Sequence, residues 1–201
     1  MLWLSPHPLI LASRSAIRRA LLKSAGIPVE VNVPDLDERA IEASAGPLSP
    51  REAALLLARQ KARAVAPPHA GQLVLGADQT LALDQVRFTK PIDTEAARNQ
   101  LRSLSGRTHE LCSGFAIARA GQVIFSQCEV ARLTMRSLSE PFLDAYLQAA
   151  GPDVTTSVGG YQLEKLGVHL FERIEGDHST ILGLPLVQLL AFLRHEGSVI
   201  A

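Results

Sequence analysis

The chain has no excess charge of either sign: 20 Lys and Arg balance 20 Asp and Glu. A protein that holds nucleic acid by general attraction to phosphate needs a basic field, so that mode of binding is excluded, though a local basic patch is not. Cysteine is scarce. Cys112 and Cys128 stand alone without a C-x-x-C spacing, so they read as buried free thiols of a reducing compartment rather than a disulfide or zinc site. No apolar run reaches the roughly 18 residues of a membrane span. The opening Met1-Leu2-Trp3-Leu4-Ser5-Pro6-His7 has no basic flank and meets Pro6 and Pro8 at once, so it does not read as a secretory signal, and a cytoplasmic location is expected.

Several chemical signatures are missing as well. The chain contains no G-x-x-x-x-G-K-[ST] loop, no G-x-G-x-x-G after a strand, no H-E-x-x-H and no G-x-S-x-G elbow. P-loop, dinucleotide, zincin and α/β-hydrolase chemistry are therefore excluded as readings. Ser13, Ser15 and His109 could be forced into a hydrolase triad, but nothing in their local settings supports one. Internal repeats, low-complexity tracts and linkers are absent too, so residues 1–201 read as one domain large enough to bury a real core.

What is present is organised around Leu9-Ile10-Leu11-Ala12-Ser13-Arg14-Ser15-Ala16-Ile17-Arg18-Arg19. An apolar run entering hydroxyls and then a helix-forming segment predicts strand, turn and capped helix. That layout aims backbone N–H groups and a positive dipole end at an anion, and guanidinium groups suit phosphate oxygens. The alternative is an ordinary capped helix with solvated arginines. Further on, Val29 to Val33 alternates like a strand. Pro34-Asp35-Leu36-Asp37-Glu38 then gathers carboxylates that either hold a hard cation or form a solvated loop. Ser49-Pro50-Arg51-Glu52 is a capping box with Pro at the first helical position, opening a helix to about Val65. Lys61 lies on or beside its apolar face, where it either snorkels to the rim or points at an anion.

Pro67 to Gly71 breaks that helix, and Leu73 to Leu83 then reads as a strand with a polar centre at Asp78, Gln79 and Thr80. A carboxylate in an otherwise buried strand must be paired, metal-bound or functional. Gly76 and Ala77 are small, which is expected to leave room beside Asp78 for substrate or water. A turn at Asp84-Gln85 and a short return strand lead to Lys90. A helix to about Leu104, a hairpin joined at Ala120-Gly121, and a helix from Ser139 to Gly151 follow. A second glycine-rich turn, Ser157 to Glu164, precedes strand-like Val168 to Phe171, and an apolar helix of about Leu186 to Leu193 closes the chain. Alternating strands and helices around a central hairpin indicate an α/β fold with a mixed sheet.

The segments Ser13-x-Ser15-x-x-Arg18, Asp37-Glu38, Arg59-x-Lys61-Ala62, Gly76-Ala77-Asp78, Lys90-Pro91, Leu104-Ser105-Gly106-x-Thr108-His109 and Leu182-Gly183-Leu184-Pro185 occur in order. Each is weak alone. Together, over about Leu9 to Leu193, they resemble the Maf family of nucleoside triphosphate pyrophosphatases. The resemblance implies an elongated, two-lobed fold around a mixed sheet, similar to inosine triphosphatases, with a nucleotide cleft between the lobes. It also implies hydrolysis to a monophosphate and pyrophosphate with a divalent metal, Mg²⁺ or Mn²⁺, and a homodimer is a family expectation.

By the same resemblance Asp78 is the proton acceptor that activates water. Glu38, Lys61 and Lys90 complete the catalytic group, with Glu38 and Asp78 at the metal. Ser13 and Arg18 contact phosphate, with Arg14 and Ser15 beside them, and Ile17, Gln79 and Glu164 bear on base choice. The branch acting on dTTP and UTP usually carries S-P-R-R, G-A-D-T and a Gln in the second glycine-rich turn. Here Ala16 and Ile17 precede Arg18, Gln79 follows Asp78, and Glu164 fills the turn, which looks more like the 7-methyl-GTP branch. A carboxylate suits the donor edge of guanine and the positive charge of a methylated base. Ile17, where an aromatic is usual, and Gly160-Tyr161-Gln162 in place of Ser-Phe-Lys depart from that branch. The alternatives are a dTTP/UTP pyrophosphatase and a non-catalytic nucleotide-binding regulator of cell division.

Overall fold

The apolar run Leu9–Ala12 forms strand β1, and all of its residues are fully buried because both faces of the sheet are covered around it. This computed structural model describes residues 2–69 and 71–200; Met1, Ala70 in the segment that ends the Pro50 helix, and Ala201 lie outside the described residues. After β1 come α1 (Ala16–Ser24), β2 (Val29–Val31), α2 (Glu38–Ala45), α3 (Pro50–Val65), β3 (Val74–Leu83) and β4 (Val86–Phe88). The chain continues through α4 (Thr94–Leu104), β5 (Thr108–Arg119), β6 (Gln122–Met135), α5 (Glu140–Ala150), β7 (Phe171–Glu175), α6 (His178–Ile181) and α7 (Leu186–His195). Short 3-10 turns lie at Gly151–Thr155, Val158–Gly160 and Leu166–Leu170.

The strands form one 7-stranded sheet in the order β2-β1-β3-β5-β6-β7, with β4 paired to β3 off that path. β1 runs parallel to β2 and β3, while β4 on β3 and β7 on β6 are antiparallel, so the sheet is mixed as expected. No helix among the described residues is long and apolar enough to cross a membrane. Cys112 and Cys128 are buried, and neither is in a disulfide among the described residues.

The chain divides into two compact units, and β3, β5 and β6 each contribute residues to both. The first unit comprises Met1–Gln79, Ser113–Glu129 and His178–Ala201. On one side of its strands Leu9, Leu11, Leu75, Phe115 and Ile117 pack with Leu22, Leu184, Leu189 and Leu193. On the other, Ile10, Ala12, Val74 and Ala116 meet Ala58, Ala62 and Val65 of α3. The second unit comprises Thr80–Cys112 and Val130–Asp177. It buries Leu101 and Leu104 of α4 and Leu143, Tyr146 and Leu147 of α5. Arg98 reaches Asp144 at 2.7 Å and Arg102 reaches Glu140 at 2.8 Å, linking the two helices on their exposed side.

His109 is also in the second unit, 1% exposed, with Nε2 2.7 Å from the Tyr161 hydroxyl and its ring among those of Tyr161 and Phe171. Burial pushes this imidazole down to about 4, so it is neutral and committed to Tyr161, which leaves it unfit as the base of a serine triad. Two local readings need correction. Val168 to Phe171 is largely a 3-10 turn, and the strand begins at Phe171. The acidic segment from Pro34 is a loop only as far as Asp37, whose carboxylate accepts from Ala40 N at 3.0 Å and caps a helix beginning at Glu38.

Candidate active site

The turn from β1 to α1 is built by its own hydroxyls. Ser15 caps α1, its Oγ accepting from Arg18 N at 3.3 Å, so that hydroxyl serves the helix. Ser13 is buried, and its Oγ accepts from Ser15 N at 3.3 Å and from Arg18 Nη1 at 3.2 Å. Arg14 and Arg19 are exposed and Ile17 is half-buried on α1. Only Arg18 turns inward. Its Nε donates to Gly183 O and its Nη1 to Ala77 O, both at 2.8 Å. Nη2 makes no hydrogen bond among the described residues and remains a free, charged donor edge. Lost solvent pushes this guanidinium below its ordinary value, while Asp78 and then Glu38 pull it back.

Gly183 explains the Leu-Gly-Leu-Pro segment physically. Its φ is +93°, and a Cβ there would stand 3.3 Å from Arg18 Nη2 and 3.4 Å from Nε. A side chain would be strained and would crowd the guanidinium whose Nε its carbonyl receives.

Gly76 positions the other half of the site. A Cβ on Gly76 would lie 2.1 Å from Ala58 O and 2.6 Å from Ala62 N, so the backbone of α3 lies directly on β3 there. Gly114 on β5 plays the same part against Ala54, whose carbonyl would be 2.9 Å from an added Cβ. The small residue beside Asp78 therefore admits a helix rather than substrate or water, which corrects the sequence expectation. This close approach carries Lys61 to Asp78.

Lys61 Nζ stands 2.6 Å from Asp78 Oδ1 and 2.9 Å from Glu38 Oε1. Of the two readings of Lys61, the inward one holds: its side chain is only 12% exposed, against 13% for Asp78 and 47% for Glu38. Burial raises Asp78 above its ordinary value; Lys61 and Arg18 oppose that rise and Glu38 adds to it. Asp78 is thus a carboxylate made more basic by its surroundings yet held by a cation, a state suited to taking a proton from water.

Gln79, next along β3, donates from Nε2 to Ser113 Oγ at 2.8 Å, to Ile181 O at 3.0 Å and to Thr180 O at 3.2 Å. Ser113, Ala77 O and the carbonyls of Thr180 and Ile181 were not singled out from the sequence. Backbone carbonyls leave no sequence signal, and the only trace of Ser113 is a hydroxyl inside the apolar run Leu111 to Ile117. Lys90, after β4, and Glu164, in the turn before the Leu166–Leu170 segment, both lie in the second unit and are exposed. Among the described residues no group of three or more His, Cys, Asp or Glu is gathered in metal-binding geometry.

The fold is of the HAM1 type. A HAM1 protein structure from Coxiella burnetii superposes with a TM-score of 0.53 over 94% of this chain and 98% of that chain, at 15% identity. Within that class the chain belongs to the Maf family, whose model, described as Maf-like protein, matches residues 8–196. A relative from Bradyrhizobium diazoefficiens named nucleoside triphosphate pyrophosphatase is 57% identical over 97% of this chain and 96% of its own. A relative from Mesorhizobium japonicum named 7-methyl-GTP pyrophosphatase is 47% identical over 95% of this chain and 97% of its own.

Proposed function

We propose that this Maf-family chain is a nucleoside triphosphate pyrophosphatase. Water adds to the α phosphorus, the bond to the α–β bridging oxygen breaks, and pyrophosphate leaves with the monophosphate as second product. Asp78 takes the proton of the water. The observation that carries this reading is the Lys61 ammonium between Asp78 and Glu38, on the same unit as the free Nη2 edge of Arg18. Arg18 and Lys61 offset the negative charge of the triphosphate, and Ser13 sets the turn that receives it. The names carried by the relatives agree with this reading.

Glu38 and Asp78 would hold a divalent cation, Mg²⁺ or Mn²⁺, beside the Lys61 ammonium rather than in its place. Glu38 Oε1 and Asp78 Oδ1 both face Lys61 Nζ, so two carboxylates already converge on one positive charge. Two protein carboxylates with phosphate and water completing the shell is the habit of Mg²⁺ at nucleotide sites. When bound, such an ion would neutralise charge on the phosphates.

For the base, the reading is 7-methyl-GTP. Glu164 offers an exposed carboxylate to the donor edge and positive charge of a methylated guanine, and the Mesorhizobium japonicum relative is named for that substrate. Substituting Glu164→Gln should lower kcat/KM for 7-methyl-GTP by about ten- to a hundredfold and leave UTP within about twofold. Equal losses on both substrates would remove Glu164 from base recognition.

A further inference from the structure

We propose that residues 34–49, the segment that carries Glu38, form a hinged cover that a bound nucleotide and its divalent cation hold shut through the Glu38 carboxylate. The proposal rests on the triphosphate reading above. No side chain from residue 34 to residue 49 is buried, and within α2 only Ile41 and Glu42 are even half-buried. α3, which follows at once, buries Ala53, Ala54, Leu57, Ala58 and Ala62. An isolated helix shorter than about 12–15 residues is marginal in water even when it is rich in Ala, and α2 has only 8. Without a buried face it gains little from the body of the protein, which places it at the low-stability end of the structure. Asp37 caps its first turn, but a cap acts within the helix and does not hold it to α3.

At the site the attachment is Glu38. Its Oε1 is 2.9 Å from Lys61 Nζ with the side chain 47% exposed, and that ammonium is already paired at 2.6 Å with the more buried Asp78. An ion pair this open to water shifts an opening equilibrium by no more than about fivefold. With a cation bound, the Glu38 carboxylate gains a second positive partner that exists only while the segment is closed. A ligand shifts such an equilibrium by its differential affinity for the two states. The far end is hinged at Gly46. Its φ of +76° and ψ of −161° fall in a region that is essentially restricted to glycine, yet a Cβ there would meet nothing within 4 Å. Glycine at this position therefore serves the turn of the backbone and not packing.

The test is amide hydrogen exchange of the whole protein, free and with Mg²⁺ and the α,β-methylene form of a nucleoside triphosphate that the wild type hydrolyses. In the free protein the amides of residues 41–45 should exchange at least about a hundredfold faster than those of residues 57–62 in α3. Probe at about 100 times its Kd should slow residues 41–45 by about ten- to a hundredfold in the wild type, and by clearly less in Glu38→Ala at equal occupancy. Gly46→Ala strains only the closed segment, so KM for the hydrolysed nucleotide should rise about tenfold or more with Tm unchanged. A segment fixed in the fold would show that strain as a lower Tm instead, and this result would overturn the proposal. So would free-state amides in α2 as protected as those in α3, or a bound probe that leaves them unchanged or slows them equally without Glu38. Absence of hydrolysis on every nucleotide would instead overturn the underlying pyrophosphatase reading; the free-state comparison does not depend on it.

Discussion

Lys61 reaches Asp78 at 2.6 Å because Gly76, two residues before Asp78 on the same strand, lets the backbone of α3 rest against β3. A glycine with no chemistry of its own thus sets the distance between the two charged groups most central to the site. The pair is also unequal. Burial drives Asp78 toward its neutral form, and Lys61, with Arg18 behind it, is what keeps the ionised form accessible.

Removing the Lys61 charge therefore has a direction in pH. A general base must be ionised, so the acid limb of kcat/KM follows Asp78. In Lys61→Met the largest force opposing burial is gone, Asp78 rises further, and the acid limb should move to higher pH, together with a loss of about a hundredfold or more at neutral pH. A pH–rate profile checks both. An acid limb that stays in place while activity falls would separate Lys61 from the ionisation of Asp78.

Gly76→Ala tests the packing. The new Cβ would meet backbone atoms of Ala58 and Ala62, which cannot swing aside as a side chain can. Overpacking of this kind costs about 3 kcal/mol, a fall in Tm of roughly 6–12 °C for a chain of this size. Lys61 would be carried off Asp78 with its helix, so activity should fall even at temperatures where the variant is folded. A variant with wild-type Tm and activity would contradict the placement of α3 on β3.

These two residues also show what was legible in the sequence. Ser49, Pro50 and Glu52 announced α3 because a capping box is a local arrangement; both of its hydrogen bonds are present. Asp78 stood out because an acid in a buried strand needs a reason. Gly76 was misread as space for substrate, since the sequence of a strand does not say which helix lies across it. α2 was missed because none of its residues is buried, leaving no apolar stripe to reveal it. β7 was shifted for a related reason: after Phe171 all its residues are exposed, and it is held by backbone pairing to β6. The bonds of Arg18 to Ala77 O and Gly183 O come from carbonyls far away in sequence, which no motif spells out.

His109 gives the second unit a pH response of its own. Its pKa in the folded protein is about 4, below its ordinary value of 6.5, because burial disfavours the charged ring. The unfolded chain therefore binds the proton more readily, and stability falls as pH drops through 6.5 toward about 4. The full effect is roughly 3 kcal/mol. Urea unfolding at pH 7 and pH 4.5 should show this difference in the wild type and a smaller one in His109→Phe. Equal pH dependence in both proteins would remove His109 as its source.

Pyrophosphate release is the most direct measurement. Wild type and Asp78→Asn would be compared on a panel of the canonical nucleoside triphosphates and 7-methyl-GTP, with Mg²⁺ present. Asn keeps the shape of the side chain and abolishes its ability to take a proton, so the variant should retain nucleotide binding. The wild type is predicted to release pyrophosphate with one or more of these substrates and Asp78→Asn to be slower by about a hundredfold or more. Release at the same rate from both proteins would contradict Asp78 as the proton acceptor.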